Sequence, residues 1–307
     1  MTSFKNIIVS LLMLLSFVSL SHARSPDVKY NFVSFDSFDP NVEVQEPFKV
    51  AASLSVPRKD EAVPVVIVVH GSGGVDERGN IYAKALNKVG IATLELDMWA
   101  ARGLDGGLSR PNHVRETLPD VYGAIKYLQS NEAVQGDNIG LIGFSWGGVV
   151  AMLMSNETHG LADNMKGLVA NYPVCWAYNI VPDYEFTYVQ PGRQLMVIAG
   201  EDDLYDGPGD CENLLNSLPP ENQDQVSLLE LRNATHAFEL PREPSEFYDP
   251  FAYRGQGGYV PIEFNAFATF KAVTSATLHF KKALNHDSEF VPSKIRAKIH
   301  SIFSKQP

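Results

Sequence analysis

The sequence is short of several things, and each shortage closes off a class of protein. Its 307 residues include two cysteines, Cys175 and Cys211, too few for a disulfide scaffold or a thiolate zinc site. Basic residues are scarce as well. Lys and Arg number 25 against 36 Asp and Glu, a formal net charge of −11, so the surface repels phosphate backbones and no nucleic-acid partner is expected. Beyond residue 20 no stretch is apolar enough to cross a bilayer. Repeats, low-complexity tracts and Gly/Pro-rich linkers are missing too, so nothing divides the chain into two. What remains, 45% hydrophobic and 20% charged residues, is the composition of a globular chain long enough to bury a full core.

One apolar run lies at the N-terminus. Lys5 precedes Ile7 to Leu20, and Ser21-His22-Ala23 follows with small residues three places and one place before a cleavage point. This predicts a secretory signal peptide at 1–23 and export to a bacterial periplasm or the medium. The run of 14 residues is shorter than the ~20 that span a membrane, and no cysteine sits at the junction, so no stable membrane anchor is expected. Residues 24–307 are then expected to form one domain.

Along that stretch, residues 28 to 36 and 47 to 56 alternate apolar and polar side chains, the pattern of half-buried strands. Val65 to Val69 is a continuous β-branched run, as in a strand buried on both faces. Ile91 to Leu96, Ile139 to Ile142, Leu168 to Ala170, Leu195 to Ala199 and Val226 to Leu231 read as further strands. Helical spacing appears in Ile81 to Val89, Leu118 to Leu128, Val149 to Met154 and Ile262 to Leu284. Strands alternating with helices predict an α/β fold, a mostly parallel central sheet with helices on both faces.

Gly143-Phe144-Ser145-Trp146-Gly147 follows one predicted strand and opens a helix. In that setting G-x-S-x-G makes a strained turn that exposes the serine hydroxyl at the sheet edge, with the glycines permitting close backbone packing. A serine nucleophile needs a base, and the base needs an orienting acid. In this architecture they follow in the order serine, acid, histidine, each just past a strand. Gly200-Glu201-Asp202-Asp203 and Ala234-Thr235-His236 occupy those places. Ser145 is therefore the candidate nucleophile, His236 the base and Asp203 the acid, chosen over Asp202 because it lies three residues past Gly200. His70-Gly71-Ser72-Gly73-Gly74 follows the Val65–Val69 strand and can aim a backbone N–H, that of Ser72, at a developing oxyanion, joined by the N–H of Trp146. No G-K-[ST] follows, so this is not a phosphate loop.

Together these segments resemble the dienelactone hydrolase family of the α/β-hydrolase superfamily, over roughly residues 48 to 285. The resemblance implies the α/β-hydrolase fold and ester or lactone hydrolysis. The namesake enzymes use a cysteine nucleophile, whereas position 145 is serine, which favours a general serine esterase. The expected partner is a small-molecule ester or lactone, with no cofactor and no metal. An amidase or peptidase, or a catalytically silent binding protein of the same fold, are the alternatives.

Other residues carry open alternatives. Cys175 and Cys211 each fall shortly after a predicted strand, and export would allow a disulfide between them near Asp203; buried free thiols are the other outcome. Aromatics at Tyr172, Trp176, Tyr178, Tyr184, Phe186 and Tyr188, and again at Phe238, Phe247, Tyr248, Phe251, Tyr253 and Tyr259, either wall a substrate pocket or cover the sheet. Arg78, Arg102 and Arg110 lie on loops of the same edge, to meet a substrate carboxylate or to stand in solvent. Asn156-Glu157-Thr158 and Asn233-Ala234-Thr235 fit the glycosylation acceptor pattern. A glycan on Asn233 would crowd His236, which leans toward a host that does not glycosylate. Ile295, Ile299 and Ile302 lie at helical spacing in a basic tail, read as packing on the domain, fraying, or touching a membrane surface.

Overall fold

Strand β3 (Val63–Val69) buries all seven of its residues, which an extended chain can do only when both faces of its sheet are covered. The computed structural model, which describes residues 27–43 and 48–284, places it inside an eight-stranded sheet ordered β1-β2-β4-β3-β5-β6-β7-β8. The signal-peptide segment 1–23 and the basic tail from Pro292 to Lys305 lie outside the described residues. The partners are β1 (Val28–Asp36), β2 (Lys49–Pro57), β4 (Ala92–Asp97), β5 (Val134–Phe144), β6 (Met165–Asn171), β7 (Gln194–Gly200) and β8 (Val226–Leu231). Strand β2 pairs antiparallel with β1 and β4; every pairing from β4 through β8 is parallel. This is the α/β-hydrolase architecture expected above.

Side-chain alternation along β3 sends successive valines to opposite layers. Val65, Ile67 and Val69 pack with Val121 and Ile125 of α2 (Leu118–Gln129) and with Val150 and Leu153 of α3 (Trp146–Asn156). Val66 and Val68 pack with Tyr82 and Leu86 of α1 (Glu77–Lys88) and with Ala272, Ala276 and Phe280 of α6 (Ala266–Ala283). Phe280 packs closely against the sheet because β5 and β6 present glycine to it. A Cβ on Gly140 would stand 2.7 Å from its ring, and one on Gly167 would stand 2.7 Å from Ala283. Caps fix where the helices begin. Asp76 accepts from the Arg78 amide at the start of α1, and Asn265 accepts from the Phe267 and Ala268 amides at the start of α6.

The structure departs from the sequence reading in three places. The C-terminal helix does not begin at Ile262: that residue pairs with Ser245 in a hairpin of β9 (Ser245–Asp249) and β10 (Gly258–Ile262), and the Asn265 cap starts the helix after it. The hairpin is not apparent in the sequence because its strands are only five residues each. It turns through α5 (Ala252–Gly255), where Tyr253 and Arg254 adopt left-handed backbone. Helix α4 (Asp210–Asn216), two turns long, also carries too short a period to register. No helix among the described residues is long and apolar enough to cross a membrane.

Phe280→Ala is expected to cost about 3–5 kcal/mol in chemical denaturation, the range for emptying a buried aromatic site. Gly140→Ala is expected to destabilise as well, because its methyl group meets the same ring.

Candidate active site

Strand β5 ends at Phe144 and α3 begins at Trp146, so one residue makes the whole turn. That residue is Ser145, with φ 53° and ψ −109°, a backbone state that non-glycine residues adopt only under restraint. The restraint is visible. Its amide donates to the Asn171 carbonyl at 3.0 Å, and the Asn171 side-chain amide donates to the Gly143 carbonyl at 3.1 Å. A side chain on Gly143 would overlap the Gly147 carbonyl, and one on Gly147 would overlap that of Val69. The glycines of G-x-S-x-G thus let α3 descend against β3 and β5 with its N-terminus at Ser145, where the helix dipole favours negative charge.

His236 and Asp203 arrive from the loops after β8 and β7. His236 Nδ1 and Asp203 Oδ2 are 2.7 Å apart, with both side chains almost wholly buried. The second Asp203 oxygen accepts from the Tyr205 amide at 3.0 Å, which fixes the carboxylate. Asp202 is exposed and turned away, while its amide donates to the Ala234 carbonyl. The imidazole lies between the rings of Tyr172 and Tyr205, at centroid distances of 4.7 and 4.5 Å. Ser145 and His236 open onto one cleft of about 280 Å³, also lined by Ser72 and Phe247. On its other side Ser145 lines a narrow cavity of about 50 Å³ with Trp146, Arg110 and Tyr205. A larger groove runs along β1 and β2, and none of Ser145, Asp203 and His236 lines it.

The sequence matches the dienelactone hydrolase family over residues 50–284. The chain belongs to that family. It is accordingly a hydrolase acting on ester bonds. No relative of significant similarity was found among curated proteins. Among solved structures it is similar to a Klebsiella pneumoniae protein assigned as a dienelactone hydrolase, with 14% identity, TM-score 0.58, and coverage of 83% of this chain and 99% of that one. It is similar also to the Anabaena variabilis dienelactone hydrolase, with 21% identity, TM-score 0.53, and coverage of 83% and 98%. At these identities the two structures speak for the fold.

Within this family fold, the loop after β3 is held by a residue to which the sequence reading gave no role. His70 is buried, and its Nε2 lies 3.0 Å from the Met98 amide. That amide can only donate, so Nε2 accepts, Nδ1 carries the proton, and it donates to the Gly71 carbonyl at 2.7 Å. Burial therefore depresses its pKa to about 4. The Ser72 carbonyl accepts from Trp99 Nε1 at 3.0 Å and from the Gly107 amide at 2.7 Å. Held from both sides, the loop brings Ser72 to the rim of both cavities beside Ser145 and Trp146.

A second unread group lies behind His236. Glu239 is fully buried and accepts from the hydroxyls of Tyr82 and Tyr172, each at 2.9 Å. Burial raises its pKa. Arg78 extends this network. It donates to the Tyr172 hydroxyl at 3.2 Å and pairs with Asp76 at 2.6 Å. Arg102 is bonded to Asp120 at 2.6 Å and Arg110 to Asp249 at 2.8 Å. The alternative of three solvated arginines is thus corrected: each is largely buried and held by a carboxylate. The aromatics divide. Tyr184, Phe247 and Phe251 wall the cavities, whereas Tyr172, Tyr178, Phe186 and Phe238 are core.

Cys175 and Cys211 form a disulfide across 36 positions, tying the loop after β6 to α4. Asp206 lies against it, accepting from the Cys175 and Trp176 amides at 3.0 and 2.7 Å. Burial and the nearby Asp203 raise the Asp206 pKa to about 7. Cys175, Asp206 and Cys211 are the one cluster of metal-ligand type among the described residues, and its two sulfurs are bonded to each other. Of the two glycosylation patterns, the Asn156 amide is engaged with the Glu185 carbonyl at 2.9 Å, and Asn233 is exposed.

Two outcomes are expected. His70 has a folded-state pKa near 4 against an ordinary 6.5. Its neutral form therefore supports the fold fully above pH ~6.5, and that support fades as pH falls toward 4. His70→Asn should destabilise more at pH 7 than at pH 4, by up to about 3 kcal/mol in urea titrations at the two pH values. Reduction of the Cys175–Cys211 bridge should lower stability by about 4 kcal/mol on the chain-entropy relation, as read by denaturation with and without a dithiol. Quantitative alkylation before reduction would contradict the bridge.

Proposed function

We propose that this chain is an exported serine hydrolase that cleaves a carboxylic ester or lactone through an acyl-enzyme held on Ser145. The observation that carries the reading is the joint placement of Ser145 on a strained elbow and His236 on the same cleft, with His236 anchored by Asp203 at 2.7 Å. His236 Nδ1 carries the proton donated to Asp203, which leaves Nε2 to accept the Ser145 proton. Ser145 Oγ attacks the carbonyl carbon, and the carbonyl oxygen becomes an oxyanion. The amides of Ser72 and Trp146 receive it; neither donates to another group among the described residues. Collapse expels the alcohol, protonated by His236. Water then attacks the acyl-enzyme, giving up its proton to the same nitrogen, and releases the acid.

The N-terminal signal pattern supports export, to a bacterial periplasm or the medium, and the disulfide suits an oxidising compartment. An amidase would use the same groups on a poorer leaving group. A silent binding protein has no use for a buried histidine–carboxylate pair beside a strained serine.

Ser145→Ala should abolish hydrolysis of p-nitrophenyl acetate and labelling by a fluorophosphonate, with the fold kept. Asp203→Asn should reduce kcat by several orders of magnitude and Asp202→Asn by little. Iodoacetamide should leave the activity untouched, since both cysteines are bridged. Wild-type turnover by Ser145→Ala would sink the mechanism.

A further inference from the structure

Ser145 divides two cavities, and the proton donor faces only one of them. His236 lines the cleft that also holds Phe247 and Arg242 and does not line the narrow cavity beside Trp146. An acyl transfer needs the leaving oxygen next to the imidazole that protonates it. Given the serine-hydrolase reading above, on which this inference rests, the His236 cleft takes the leaving group. The narrow cavity takes the acyl group.

Val114, Val149, Val174 and Phe251 give that acyl cavity an apolar wall, and Arg110, Asn112, Tyr205 and Asp249 a polar one. Arg110 lies over the Trp146 ring, its guanidinium carbon 5.7 Å from the centroid, and pairs with Asp249 at 2.8 Å. Asp249 is 1% exposed, and its other oxygen accepts from the Phe251 amide at 2.8 Å. Tyr205 borders the same carboxylate; burial and that charge hold its phenol far above the usual range, so it is a neutral donor. Among the described residues the ion pair with Asp249 is the one polar bond of the Arg110 side chain. The guanidinium has five N–H donors; Arg110 lines the cavity, and none of its nitrogens is a fully buried atom without a partner. Asp249 has already neutralised the arginine, so a second carboxylate there would leave the cluster with net negative charge in a confined space.

We propose that this cavity selects a short acyl group ending in a neutral hydrogen-bond acceptor, an ether, hydroxyl or carbonyl oxygen, which binds the free N–H donors of Arg110. A plain alkyl acyl group of the same length leaves those donors unpaired and is disfavoured.

The test uses p-nitrophenyl esters in isosteric pairs: methoxyacetyl against butanoyl, 3-methoxypropanoyl against pentanoyl, and 4-methoxybutanoyl against hexanoyl. Each kcat/KM is divided by the ester's own alkaline hydrolysis rate, which removes intrinsic reactivity. At one length the ether is expected to be favoured by about tenfold, the discrimination of one charge-assisted hydrogen bond. In Arg110→Met/Asp249→Asn, which removes both charges so that neither is left buried alone, the ratio should fall to about one. Because the readout is a ratio, a general loss of activity does not imitate it. A ratio near one at every length in the wild type would overturn the acyl-site assignment. So would a preference for the succinyl half-ester over the best ether, which would make Arg110 a carboxylate anchor. p-Nitrophenyl acetate carries no acceptor beyond its own ester and reports the hydrolase reading separately: its turnover beside a flat ratio would remove this inference and leave that reading standing.

Discussion

The close approach of α3 to the ends of β3 and β6 is the constraint on which the site depends. Three backbone carbonyls, those of Gly147, Val69 and Asn171, occupy space that side chains on Gly143, Gly147 and Gly148 would need. With glycine at those positions, the helix start meets the sheet edge and Ser145 has no room for ordinary backbone geometry. Its left-handed φ is imposed by the packing and locked by Asn171, which bonds the elbow on both sides. The serine hydroxyl, the Trp146 amide and the helix dipole then share one point, and the loops after β3, β7 and β8 are brought to it.

A buried polar layer supports that point from behind. Tyr172 contacts His236 through its ring and Glu239 through its hydroxyl, and Arg78 joins the same hydroxyl to Asp76. Every member is hydrogen-bonded, which is what allows a carboxylate and a guanidinium to lie so deep in an apolar layer. On the other side, His70 spans from the loop after β3 to the end of β4. The loop after β3 is thus fixed by His70 and the imidazole by Tyr172, neither of which lines either cavity.

Much of the fold was legible because local pattern and tertiary role agree. The β-branched run at Val65–Val69 is a buried central strand, and G-x-S-x-G falls between a strand and a helix as its chemistry requires. Asp203 could be separated from Asp202 by its offset after Gly200, and the structure turns only Asp203 toward His236. The β9–β10 hairpin was illegible because each strand is only five residues long, too short to establish a period. Arg78 lies not on a loop but in the first turn of α1, beside Asp76; Arg110 was misread because a loop arginine looks alike in sequence whether it meets water or a carboxylate, and Asp249, which holds it, is 139 positions away. Glu239 did leave a trace, a lone charge inside Ala237-Phe238-Glu239-Leu240. Its tyrosine partners, at 82 and 172, are distant in the chain.

The strand order also dictates when the parts can meet. From β5 onward each strand is added outside its predecessor, β5-β6-β7-β8, so the sheet grows outward in the direction in which the chain is made. Ser145 leaves the ribosome first, Asp203 next and His236 last. In the mechanism proposed above, a partly assembled sheet that lacks its outermost strand holds the Ser145 hydroxyl without His236 to withdraw its proton. Under that mechanism reactivity is the last property this architecture acquires, and a chain halted at an earlier stage of assembly is inert toward esters around it.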